Sequence, residues 1–120
     1  MHNLLLFDHN ETPISVEALD EVFRTAAGFG RVRYNTPIGT PIEAEYAYGD
    51  DFTTVRLHSD RETISISGTS DAALRAAWAI QTQLPSRLRI VDTDYSFDLI
   101  VADFKNLEDL RSAIDRARAS

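Results

Sequence analysis

The switch of hydrophobic period between residues 42 and 67 constrains this chain most. Over that stretch apolar side chains alternate with polar ones in three consecutive runs, each closed by turn residues, so three antiparallel strands are predicted. In the first run Ile42, Ala44, Tyr46 and Tyr48 share one parity, Glu43, Glu45 and Ala47 share the other, and Gly49-Asp50-Asp51 follows as a turn. Phe52 to His58 returns, Ser59-Asp60-Arg61-Glu62 turns again, and Thr63 to Ser67 sets Ile64 and Ile66 against Thr63, Ser65 and Ser67. A meander with one apolar face needs another layer over it. That layer is written on both sides of the meander, where the apolar period lengthens to that of helices.

Upstream, Leu4 to Asp8 is a short apolar run that reads as a buried strand. A helix follows, started by Thr12-Pro13 or Ser15, carrying Val16, Leu19, Phe23 and Ala26 at helical spacing, and stopped by Gly28 and Gly30. Arg31 to Tyr34 is a possible short strand, and the two prolines and glycine of residues 35–41 make a loop. Downstream, Gly68-Thr69-Ser70-Asp71 suits a helix start, Ala72 to Leu84 is alanine-rich, and Pro85 ends it. Leu88 to Val91 and Phe97 to Phe104 read as two further strands, and the apolar Leu99-Ile100-Val101 marks the second as the centre of the sheet. Asn106 caps a last helix with the stripe Leu107, Leu110, Ile114 and Ala117. The expectation is one α+β domain over residues 1–120, a two-layer sandwich with a mostly antiparallel sheet of five to six strands and three helices mainly on one face.

Composition narrows function by exclusion. There is no cysteine, which removes thiol catalysis, disulfides and thiolate metal sites. Asp+Glu number 19 against 12 Lys+Arg, a formal net charge of -7 that disfavours direct contact with nucleic acid or anionic membranes and favours basic partners. No apolar run approaches the roughly 18 residues of a membrane helix. Met1 to Phe7 has no basic flank before its apolar run, so the expected location is the cytoplasm.

Candidate chemistry is thin. Asp92, Asp94 and Asp98 share parity, and an extended chain through them would group three carboxylates on one face, an arrangement able to hold a divalent cation or do acid-base work. A turn over Thr93 to Ser96 is the competing reading. His2, His9 and His58 have no ligand spacing, Gly28-Phe29-Gly30 follows a helix instead of opening one, and no serine sits in a Gly-x-Ser-x-Gly elbow. No catalytic residue, metal or cofactor is therefore expected. What remains is surface: Tyr46, Tyr48 and Tyr95 stand among carboxylates, and aromatics beside charges suit a protein interface.

The segment Gly49-Asp50-Asp51-Phe52-Thr53-Thr54-Val55-Arg56-Leu57, leading through Ile64-Ser65-Ile66-Ser67-Gly68 to an alanine-rich helix and then Asp92-Thr93-Asp94-Tyr95-Ser96-Phe97-Asp98, resembles the small acidic immunity proteins of bacterial contact-dependent inhibition and related polymorphic toxin systems. The resemblance spans about residues 42–104. It implies a cytoplasmic protein that binds a cognate toxin, commonly a basic nuclease, and occludes its active site. The surface reading names Glu43, Glu45, Tyr46, Asp50, Asp51, Asp92, Asp94 and Asp98 as the partner-binding residues. A dimerising domain that senses a small molecule is the alternative, and an enzyme working from the carboxylate face is the third.

Overall fold

The structure, a computed structural model, describes residues 3–119. Its strands are β1 (Asn3–Asp8), β2 (Phe29–Tyr34), β3 (Ile42–Tyr48), β4 (Asp51–Leu57), β5 (Thr63–Ser67), β6 (Leu88–Asp92) and β7 (Asp98–Ile100). The helices are α1 (Val16–Thr25), α2 (Asp71–Gln83) and α3 (Leu107–Ala119), and a single 3-10 turn covers Val101–Asp103. All seven strands join one antiparallel sheet in the order β2-β3-β4-β5-β1-β6-β7, one or two more than the sequence suggests.

Each helix begins at a side chain able to satisfy the free amides of its first turn. Ser15 Oγ accepts from the Ala18 amide at 3.1 Å, Ser70 Oγ from Ala73 at 3.4 Å, and Asn106 Oδ1 from Asp109 at 2.9 Å. The helices cover one face of the sheet. Leu4 and Leu6 of β1, Ile42 and Ala44 of β3, Val55 and Leu57 of β4, Ile64 and Ile66 of β5, and Leu88 and Ile90 of β6 form a continuous core with Leu19 and Phe23 of α1, Ile80 of α2, and Leu110 and Ile114 of α3. Each large apolar side chain so enclosed contributes about 1.5–3 kcal/mol.

Beside the sheet's β2 edge, Phe23, Phe29 and Tyr46 form a chain of ring contacts with centroids 5.1 and 4.7 Å apart. Gly28 makes this possible. At φ 99° it turns the chain from α1 into β2, and a Cβ there would lie 2.6 Å from Tyr46 Cε1.

The expectation for the last strand fails. Phe97 to Phe104 is not one central strand; β7 has three residues, lies at the edge, and gives way to the 3-10 turn. The apolar run misled because its members go to different places: Leu99 packs against the core, Ile100 pairs opposite Arg89, and Val101 is buried only after the chain has left the sheet. The centre belongs to β5 and β1. The opposite edge, β2, is broken by a bulge between Gly30 and Arg33, with Arg31 at φ 50°. Both edges are poor templates for a further strand.

Candidate functional site

Strand direction sorts the predicted site residues. In this sheet the β3–β4 turn, the start of β1, the β5–α2 connection and the β6–β7 turn all emerge at one end. The first and last of these are four strand spacings apart, roughly 19 Å at the usual inter-strand distance. Asp50, Asp51, Asp92 and Asp94 therefore come to one end of the molecule from two distant parts of the chain. Glu43, Glu45 and Asp98 point instead from the sheet face that no helix covers.

On that uncovered face the carboxylates are answered in place. Glu43 lies opposite Arg56 on one side and Arg33 on the other, and Arg56 Nε is 3.9 Å from its Oε1. Glu45 lies 3.9 Å from Arg31. Asp98 takes both Nε, at 3.0 Å, and Nη2 of Arg89, whose guanidinium also sits 4.7 Å above the Phe7 ring. With only 9% of its surface exposed, Glu43 offers an incoming protein almost nothing. Four arginines against three carboxylates leave this face without the negative sign of the whole chain.

Tyr46 also leaves the list of contact residues. Its parity with Ile42 and Ala44 directs it beneath the helices, where it is 8% exposed, and burial pushes its hydroxyl pKa up. The three late aspartates do not share a face, because parity is interrupted by the turn at Thr93–Ser96. Asp92 ends β6 on the helix-covered side, whereas Asp98 pairs with Val91 on the uncovered side. Asp92 is a latch for the turn: its Oδ1 accepts from the Ser96 amide at 2.7 Å, its Oδ2 from the Ser96 hydroxyl, and Arg118 of α3 approaches at 3.5 Å. Burial pushes the Asp92 carboxyl up, but the Ser96 hydrogen bonds and the Arg118 charge outweigh it and hold the group below the usual carboxylate value. Among the described residues no group of three potential ligands is placed to hold a metal ion. His9 and His58 are exposed and far from forming a triad, and His2 lies outside the described residues.

What the turn end does present is aromatic surface beside negative charge. Tyr48 is 46% exposed and Phe52 67% exposed on either side of Asp50 and Asp51, and Tyr95, 62% exposed, follows Asp94. Phe52 is an exposed aromatic at this end that the sequence alone did not single out. Its signal was parity: Thr53, Val55 and Leu57 face the core, so Phe52 falls in step with Thr54 and Arg56 on the other side.

No helix among the described residues is long and apolar enough to cross a membrane. No model of a known protein family matches the chain, and no curated protein or solved structure matches it.

Proposed function

We propose that this chain is a cytoplasmic immunity protein that binds a basic toxin domain, commonly a nuclease in such systems, and blocks its active site without doing chemistry of its own. One observation carries the reading. Two hairpin turns at one end of a rigid sheet each present exposed aromatic side chains next to aspartates, within a chain whose net charge is -7. Aromatic side chains provide contact area at little entropic cost, and the carboxylates steer a cationic partner into place. A span of roughly 19 Å between the turns suits a protein surface better than a small ligand. The resemblance of residues 42–104 to immunity proteins, carried in part by the same two turn segments, supports the same reading.

The experiment is co-expression with the C-terminal domain of the protein encoded by the adjoining gene. The reading expects a stable one-to-one complex on size exclusion in 0.15 M salt, where exposed charges are screened beyond about 8 Å, and survival of cells that the domain alone would kill. A toxic domain that neither binds this chain nor loses its toxicity contradicts the reading.

A further inference from the structure

We infer that Phe52 is the apolar anchor of this surface, that Asp50 is its charged companion, and that Asp51 positions the anchor without itself contacting the partner. The inference rests on the immunity reading and assigns the partner a definite chemistry: an apolar pocket rimmed by lysine or arginine.

The β3–β4 hairpin ends beyond its neighbouring strand. The ladder between β4 and β5 covers only Val55–Leu57, so Asp51 to Thr54 pair with β3 alone and the hairpin tip projects past β5. A free tip carrying a phenyl ring would ordinarily be mobile. This one is fastened to α2 at two points. Asp51 Oδ1 accepts from the Phe52 amide at 2.9 Å while its Oδ2 accepts from the Ala72 amide, in the first turn of α2, at 3.4 Å. Arg75 of α2 lies 3.9 Å from the centroid of the Tyr48 ring and is itself held by Asp71 at 2.8 Å. Below the tip, the Thr53 hydroxyl donates to the Ser67 carbonyl at 2.6 Å.

The result is an exposed phenyl ring on a fastened backbone. Phe52 is paired across the hairpin with Ala47, too small to cover it. Asp50 and Asp51 form no ion pair among the described residues, in contrast to Glu43, Glu45 and Asp98. Uncompensated negative charge beside a preordered aromatic ring is complementary to a cationic rim around an apolar pocket. Both Asp51 oxygens already accept backbone hydrogen bonds, which is why it holds the tip and Asp50 meets the partner.

The test uses the full chain and the toxin domain from the adjoining gene, with Kd measured for Phe52→Ala, Asp50→Asn, Asp51→Ala and the double variant Phe52→Ala/Asp51→Ala. Phe52→Ala should weaken binding by about 30-fold or more, the usual scale for a central aromatic anchor, with unchanged thermal unfolding because the ring is exposed. Asp50→Asn should cost about threefold to fivefold, chiefly in association rate and less at high salt. Asp51→Ala should weaken the wild type but have little further effect once Phe52 is alanine, since its contribution passes through the ring. A Phe52→Ala variant within threefold of wild type overturns the anchor, and additive losses overturn the positioning role. Failure of the wild-type chain to bind removes the immunity reading itself, and this inference with it.

Discussion

The uncovered sheet face and the β3–β4 turn of this molecule both carry carboxylates, with opposite availability. On the face, Glu43, Glu45 and Asp98 lie between arginines of neighbouring strands, and the charges cancel within the sheet. At the turn end, Asp50 and Asp51 flank an exposed hairpin with no ion pair among the described residues. Net charge therefore does not say where a charged partner docks; register does. Cross-strand neighbours on a sheet are about 5 Å apart at Cβ, so an acid and a base at paired positions find each other, whereas Asp50 and Asp51 at the β3–β4 turn have no base so placed among the described residues.

The two regions can be separated experimentally. The largest effect on stability is expected at the Asp92 latch. Asp92→Ala strands the Ser96 amide and hydroxyl and leaves Arg118 without its carboxylate, and should lower unfolding free energy by about 1–3 kcal/mol in urea titrations at pH 7. The pH dependence follows from sign. A carboxyl whose folded pKa is depressed contributes its stability above the unfolded value, near 3.9, and loses it as pH falls through the folded value. The gap in stability between wild type and Asp92→Asn should therefore be full from pH 7 down to about 5 and narrow below about 4. Asp8, whose carboxyl is also held low against the opposing effect of burial by hydrogen bonds from Thr12 and Asn10, continues to weaken both proteins in acid.

A smaller effect is expected on the uncovered face. Glu43→Gln removes a partly exposed ion pair with Arg56 and should cost no more than about 1 kcal/mol. If the chain binds a toxin domain as proposed, Glu43→Gln should leave that binding within twofold. The smallest belongs to Glu45→Gln, whose pairing with Arg31 is exposed, and whose unfolding midpoint should shift by less than can be resolved from wild type. Weaker binding by either variant would mean that the face, not the turn end, meets the partner.

Much of the fold was legible in the residues. Asn106 was written as a cap, Ser15 stood as one of two starts for α1, Ser70 lay within the expected start of α2, and the period-two runs of 42–67 gave β3, β4 and β5 nearly to the residue. What local pattern could not supply was the order of strands. β1 inserts between β5 and β6, about sixty and eighty positions away along the chain, and β7 is an edge despite three consecutive apolar residues. The candidate site was legible in half. Asp50 lies in the turn that Gly49-Asp50-Asp51 signalled, whereas Asp51 already opens β4; Asp94 falls in the turn that competed with an extended chain, and Tyr46 belonged to the core its parity implied. The Asp92–Asp98 alignment dissolved in a turn that Thr93 and Ser96 had permitted, and the arginines that answer Glu43 and Glu45 come from strands whose pairing no local pattern encodes.

The most direct test of the central claim neutralises two carboxylates in each region, so that net charge changes equally and only place differs. Toxin-domain affinity would be compared, over a series of salt concentrations, for Asp50→Asn/Asp94→Asn at the turn end and Glu45→Gln/Asp98→Asn on the uncovered face. The turn-end pair should lose about tenfold in affinity and flatten the salt dependence, while the face pair stays within about twofold of wild type. Equal losses, or a larger loss from the face, would contradict the central claim.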